Sequence, residues 1–151
     1  MHKILIAFAA AVLAIGVAAA SETTAVMVPV HQFVDGFNQG DTKKALAACA
    51  DQTFIIDEFP PHEWQGAGAC STWANDYDAD AKKNSITDGF VTLGKPTHID
   101  ITGDRAYVVV PANYTYKKKG TLFKETGSRF TLVLQKAESG WRITAWTWSK
   151  Q

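Results

Sequence analysis

The chain has 151 residues, 46% of them hydrophobic and 20% charged, with 15 Lys+Arg balancing 15 Asp+Glu. That length suits one domain that buries roughly two-thirds of its unfolded surface, so folding requires no metal or disulfide scaffold. Zero net charge excludes a typical nucleic-acid binder, which carries a basic surplus, and 11% aromatic content excludes disorder.

The first twenty residues read as an address. Lys3 is a positive n-region, Ile4 to Val17 is apolar apart from Gly16, and Ala18-Ala19-Ala20 offers the small residues of a cleavage site. This pattern predicts a secretory signal peptide over 1–20, cleaved after Ala20. The alternative is an uncleaved membrane anchor. The apolar stretch Ile4 to Ala20 is at the lower limit for spanning a bilayer. Ser21, Glu22, Thr23 and Thr24 follow it rather than a basic stop-transfer cluster. The expected product is 21–151, exported to the periplasm or the extracellular space, with no stable membrane insertion. In an oxidising compartment Cys49 and Cys70 can pair, closing a loop of about 20 residues worth about 3 kcal/mol. The alternative is two unpaired small core residues. Neither Cys has a second Cys or His at ligand spacing, so no metal site is expected.

After Ser21 the elements follow in order. Val26, Val30, Phe33, Val34 and Phe37 recur at helical spacing, with Gly40 as a stop and Asp41 as the next N-cap. Pro29 fits a first helical turn, or kinks a helix that starts earlier. Thr42 to Ala50 reads as a short second helix and Thr53 to Ile56 as a strand. Pro60-Pro61 ends that strand, and Gly66 and Gly68 mark the far side of the loop. Cys70, Trp73, Ala74, Tyr77 and Ala81 form one stripe of a third helix. From Ile86 the period changes to 2. Ile86 to Leu93, His98 to Ile101, Ala106 to Tyr116, Arg129 to Lys136 and Arg142 to Ser149 read as strands. Helices first and a meander after them predict an α+β fold, with the helices on one face of a curved sheet.

This order, with Phe37-Asn38-Gln39-Gly40-Asp41 closing helix one, Gly66 ahead of Trp73, Gly140-Trp141-Arg142-Ile143 and Trp146-Thr147-Trp148-Ser149, resembles the nuclear transport factor 2-like superfamily and its SnoaL-like members. The resemblance covers about 25–150. It implies a cone: a strongly curved antiparallel (mixed) sheet wrapped around three N-terminal helices, with a pocket at the wide end. It also implies that Gly66 opens the third helix and that a homodimer forms through the sheet. Such folds host isomerases, dehydratases, cyclases and proteins with no chemistry, so the site has to be read separately.

Asp57 stands where the ketosteroid isomerase branch carries its general base, and a carboxylate in an apolar pocket can shuttle a proton between carbons. Alternation argues against it: if Phe54 and Ile56 face the core, Asp57 faces away unless the strand bulges. The bland reading is a strand-end carboxylate in solvent. The donors that isomerase needs would fall near Phe33 and Leu132, neither of which donates a hydrogen bond, so ketosteroid isomerase activity itself is not expected. His62 is a second acid–base candidate, or an exposed loop residue. His98 shares a strand face with Asp100, as an orienting pair or as ordinary surface. Phe33, Phe54, Trp64, Trp73, Tyr77, Tyr114, Trp146 and Trp148 either line a ligand pocket or fill the cone.

Three motifs are decoys. Asp76, Asp78 and Asp80 imitate a calcium loop but lack its Gly and final Glu. Asn113-Tyr114-Thr115 is a glycosylation sequon inside a strand, and Lys117-Lys118-Lys119 is a solvated hairpin tip. No cofactor motif is present. The expected function is non-catalytic binding of a small apolar or aromatic molecule, or an assembly role. The alternative is a cofactor-independent isomerase, dehydratase or hydrolase with Asp57 as base.

Overall fold

The computed structural model describes residues 4–151, with side chains from Ala20 onward. All of the leader expected over 1–20 except Ala20 therefore lies outside the residues whose side chains are described. Among the described residues, no helix is long and apolar enough to cross a membrane.

Helix α1 spans Ile4–Gln39 and runs through Pro29. Its buried face is Val26, Met27, Val30, Phe33 and Val34: four of the five residues in the stripe that the 3.6 periodicity predicts, plus Met27, with the fifth, Phe37, partly buried. Gly40, at φ 67°, ends it in the left-handed conformation that glycine adopts without a Cβ clash. Asp41 caps α2 (Thr42–Leu46), accepting from the Lys44 amide at 3.0 Å. The two helices meet at Gly36, where a Cβ would lie 2.4 Å from the Ala45 nitrogen.

Helix α2 is shorter than the predicted Thr42 to Ala50, because the chain is already a strand at Cys49. The Ile143 amide donates to the Ala48 carbonyl at 2.9 Å, so sheet pairing overrides the helical propensity of the alanines. Strand β1 is Cys49–Ile56, and Glu63–Ala67 forms a further strand, β2, paired antiparallel with it where a loop was expected. Gly66 belongs to β2; Gly68, at φ 72°, is the residue that opens α3 (Ala69–Asn84). The disulfide pairs Cys49 with Cys70 and joins the start of β1 to the first turn of α3.

The remaining strands are β3 (Ile86–Leu93), β4 (His98–Thr102), β5 (Arg105–Lys118), β6 (Thr121–Ala137) and β7 (Gly140–Ser149). β3 coincides with the predicted strand and β4, β5 and β7 extend theirs by one to three residues, while β6 begins eight residues before the predicted Arg129, because Thr121 to Glu125 pair with Lys118 to Tyr114 of β5. The order is β2-β1-β7-β6-β5-β3, with β4 on the same edge of β5 as β3. Only the β1–β7 pair is parallel, so the sheet is mixed. Pairing shifts at Ala112/Tyr114 and Val133/Leu134 interrupt the long ladders, and such irregularities bend a sheet. The helices pack on one face, against Val108 and Val110 of β5, Phe130, Leu132 and Leu134 of β6, and Ile143 and Trp146 of β7.

One facing is the reverse of the expectation. Ile55 is fully buried, while Phe54 is 39% and Ile56 48% exposed. Thr53-Phe54-Ile55-Ile56 is apolar or β-branched throughout, so alternation alone does not say which half faces in. Packing decides: Ile55 pairs with the buried Trp146 of β7, and Thr53 is buried with its hydroxyl on the Ala50 carbonyl. Residue 57 continues the inward set of 53 and 55.

Candidate functional site

A cavity of about 350 Å³ lies between α1, α3 and the bent sheet. Phe33 and Phe37 of α1, Trp73 and Tyr77 of α3, Tyr114 and Tyr116 of β5, Phe130 of β6, and Trp146 and Trp148 of β7 line it. Trp73 meets the Trp146 ring edge-on at 5.0 Å and packs on Phe33 at 5.6 Å. These rings shape the wall without filling the hollow, which is of a size that takes a small flat molecule.

Asp57 is on that wall. It follows the last residue of β1, and the turn after it is closed by the Asp57 amide donating to the His62 carbonyl at 3.1 Å. Oδ2 accepts from Trp73 Nε1 at 2.8 Å and Oδ1 from the Glu58 amide at 2.7 Å. Burial pushes the carboxyl up to about 6 despite these two donors, which favour its charged form.

The Tyr77 and Tyr114 hydroxyls are hydrogen-bonded to each other. Burial raises both phenols, so both stay protonated at neutral pH. The pair is seated against Gly89, where an added Cβ would lie 2.8 Å from the Tyr114 hydroxyl and 3.0 Å from that of Tyr77. Gly89→Ala is expected to push the rigid rings apart and cost about 1–2 kcal/mol, read as a lower urea midpoint at unchanged slope. An unchanged midpoint would show that the pair moves freely.

Polar groups absent from the sequence reading stand beside Asp57. Lys150 Nζ bridges Glu58 at 2.6 Å and Glu125 at 2.9 Å, and all three residues line the cavity. Burial raises the Glu58 carboxyl, and Glu125 beside it adds to the effect. Burial opposes the charge on Lys150, but its bonds to both carboxylates outweigh this and hold it above the ordinary lysine value. Glu58, Glu125 and Lys150 are far apart in sequence or carry no periodic signal; only the closing of β6 and β7 over β1 assembles them. Phe37 and Phe130 were legible as apolar positions of their elements, though not as cavity lining.

Several predicted site residues are elsewhere. Phe54 points outward from β1. Trp64 is buried outside the cavity, its Nε1 donating to Asp76 Oδ2 at 2.8 Å and its ring against Phe59 at 5.0 Å. His62 is exposed, with Nδ1 at 3.2 Å from the Asp57 backbone carbonyl rather than its carboxylate. His98 is exposed on β4, edge-on to Tyr107 at 5.8 Å, and lines a separate open groove against α1. Neither histidine reaches the aromatic cavity. Phe33 lines it without a hydroxyl and Leu132 is buried core, so the two donors missing from the sequence are missing in the fold.

Residues 26–150 match the family described as SnoaL-like domain. The chain belongs to that family. Solved structures similar to this SnoaL-like chain share its fold at low identity. A nuclear transport factor 2-like superfamily protein from Salmonella enterica serovar Typhimurium superposes with a TM-score of 0.72 at 17% identity, over 87% of this chain and 92% of that one. A ketosteroid isomerase-like protein from Erwinia carotovora gives 0.66 at 16% identity, over 85% and 95%. A candidate dehydratase of the same fold from Streptomyces avermitilis gives 0.67 at 17%, over 87% and 96%. A search of curated protein sequences finds no match. The SnoaL-like cone is thus shared with these structures, while the chemistry has to come from this chain's own side chains.

Proposed function

We propose that this protein binds a small apolar or aromatic molecule in its cone and moves a proton on it with Asp57 as general base, in a cofactor-independent isomerisation or dehydration. The observation that carries this is the Asp57 carboxylate on the wall of an aromatic cavity, held by Trp73 Nε1 and the Glu58 amide. A base poised near neutrality is the one that both accepts and returns a proton readily. The Tyr77–Tyr114 pair supports the same reading. One hydroxyl donates to the other, and the second keeps its own proton to donate to an oxygen that gains negative charge.

In deuterium oxide, the protein is expected to speed exchange of the C1 protons of 2-tetralone, followed by NMR. The rate should rise with pH through about 6, as Asp57 ionises. Asp57→Asn should lower it by roughly 100-fold or more. Saturable quenching of tryptophan fluorescence by 2-naphthol, with exchange no faster than in buffer, would leave binding and sink the catalytic reading. The Cys49–Cys70 bridge supports an exported location, since such bonds persist in oxidising compartments. The exposed Phe54 and Ile56 of β1 support a homodimer through the outer face of the sheet.

A further inference from the structure

Glu125 is the most unusual polar group of the cavity. Its side chain is 9% exposed, Oε1 takes the Lys150 ammonium at 2.9 Å, and Oε2 is buried with no hydrogen-bond partner among the described residues. A buried carboxylate oxygen left unpaired costs more than a made bond contributes, so a partner donor is strongly favoured there. The surrounding charge is predominantly negative. Asp57, Glu58, Asp80 and Glu125 line the cavity against only Lys118 and Lys150. Lys150 is already shared between two carboxylates.

Fields add in a low-dielectric hollow, so an entering carboxylate meets repulsion from this excess and an entering cation meets attraction. From this geometry we infer that the cavity selects an aromatic ligand bearing a hydrogen-bond donor, an ammonium before a hydroxyl, which binds Glu125 Oε2 while its rings lie among Trp73, Trp146 and Trp148. Anionic aromatics are the excluded class. The inference rests on the proposed ligand-binding role of the cavity and names the ligand class for it.

Three probes on one scaffold test it: naphthalen-2-ylmethylamine, naphthalen-2-ylmethanol and 2-naphthoate, each titrated against tryptophan fluorescence at pH 7.5. The amine is expected to bind at least tenfold more tightly than the carboxylate, with the alcohol between them. Glu125→Gln keeps the shape and removes the charge; it should cut the amine-to-carboxylate ratio at least fivefold. Lys150→Gln removes the competing cation from an exposed C-terminal position and should raise that ratio at least threefold. A purely structural role for either residue would not move the ratio in opposite directions. Wild-type protein that binds 2-naphthoate as well as the amine overturns the inference alone. So does a ratio unchanged within twofold in both variants, which would mean that Glu125 Oε2 is satisfied internally, by a proton shared with Glu58. Quenching by none of the three probes overturns the ligand-binding role itself and this inference with it.

Discussion

Asp57→Asn is expected to stabilise the protein relative to wild type as pH rises, by about 2 kcal/mol between pH 4 and pH 7.5. The native carboxyl sits at about 6 against an ordinary 3.8, with burial as the leading cause. Between those values the folded state holds a proton that the unfolded state has released. Wild-type stability therefore falls as pH climbs through this window, being fully present below the unfolded value and lost above about 6. A shift of two units corresponds to about 3 kcal/mol, reduced here because the titration is incomplete at pH 4. Asparagine keeps one acceptor for Trp73 Nε1 and forfeits the bond from the Glu58 amide, a cost that does not vary with pH. Urea unfolding of both proteins at the two pH values checks this. A stability of the variant minus that of wild type that stays flat, or that falls toward pH 7.5, would contradict a buried, destabilised carboxylate. The same variant is expected to lose proton transfer, the trade of stability against activity common at poised acid–base sites.

Reducing the Cys49–Cys70 bond is expected to cost about 3 kcal/mol, because it releases a loop spanning 21 positions in the unfolded chain. The bond joins β1 to α3 near the ends that matter for the site. Trp73 lies one turn beyond Cys70, and Asp57 directly follows β1. Urea melts of the protein in dithiothreitol and of the Cys49→Ala/Cys70→Ala pair should agree with each other and fall below that of the untreated, oxidised protein. A shift under 1 kcal/mol would show that packing of Ala69, Cys70 and Trp73 alone secures α3 to the sheet.

Periodicity carried most of the architecture. Val26, Val30, Phe33 and Val34 appear on the buried side of α1, and β3 runs over the residues predicted for it. Where the reading went astray, two physical signals competed. Ala47 and Ala48 favour helix in isolation, but the Ile143 amide claims the Ala48 carbonyl for the sheet. Trp64 and Gly66 read as loop, although pairing with β1 makes them a strand. The candidate site was half legible: Asp57 and six of the proposed aromatic residues meet at one cavity. The histidines did not join them, because a residue's chemistry says nothing of where its strand or turn will aim it.

By itself the sequence determined the helices-then-strands order, the family resemblance and the number of aromatic rings, since these follow from composition and from spacings that any fold of this chain must respect; it left the pairing of Cys49 and Cys70 open. Tertiary structure decided which face of β1 turns inward, and with it whether Asp57 meets solvent or the hollow. It also brought Glu58, Glu125 and Lys150 together from distant parts of the chain. The physical reason is that an apolar run such as Phe54-Ile55-Ile56 buries either half about equally well on its own; only the neighbouring strand and the helix above it make one choice lower in free energy.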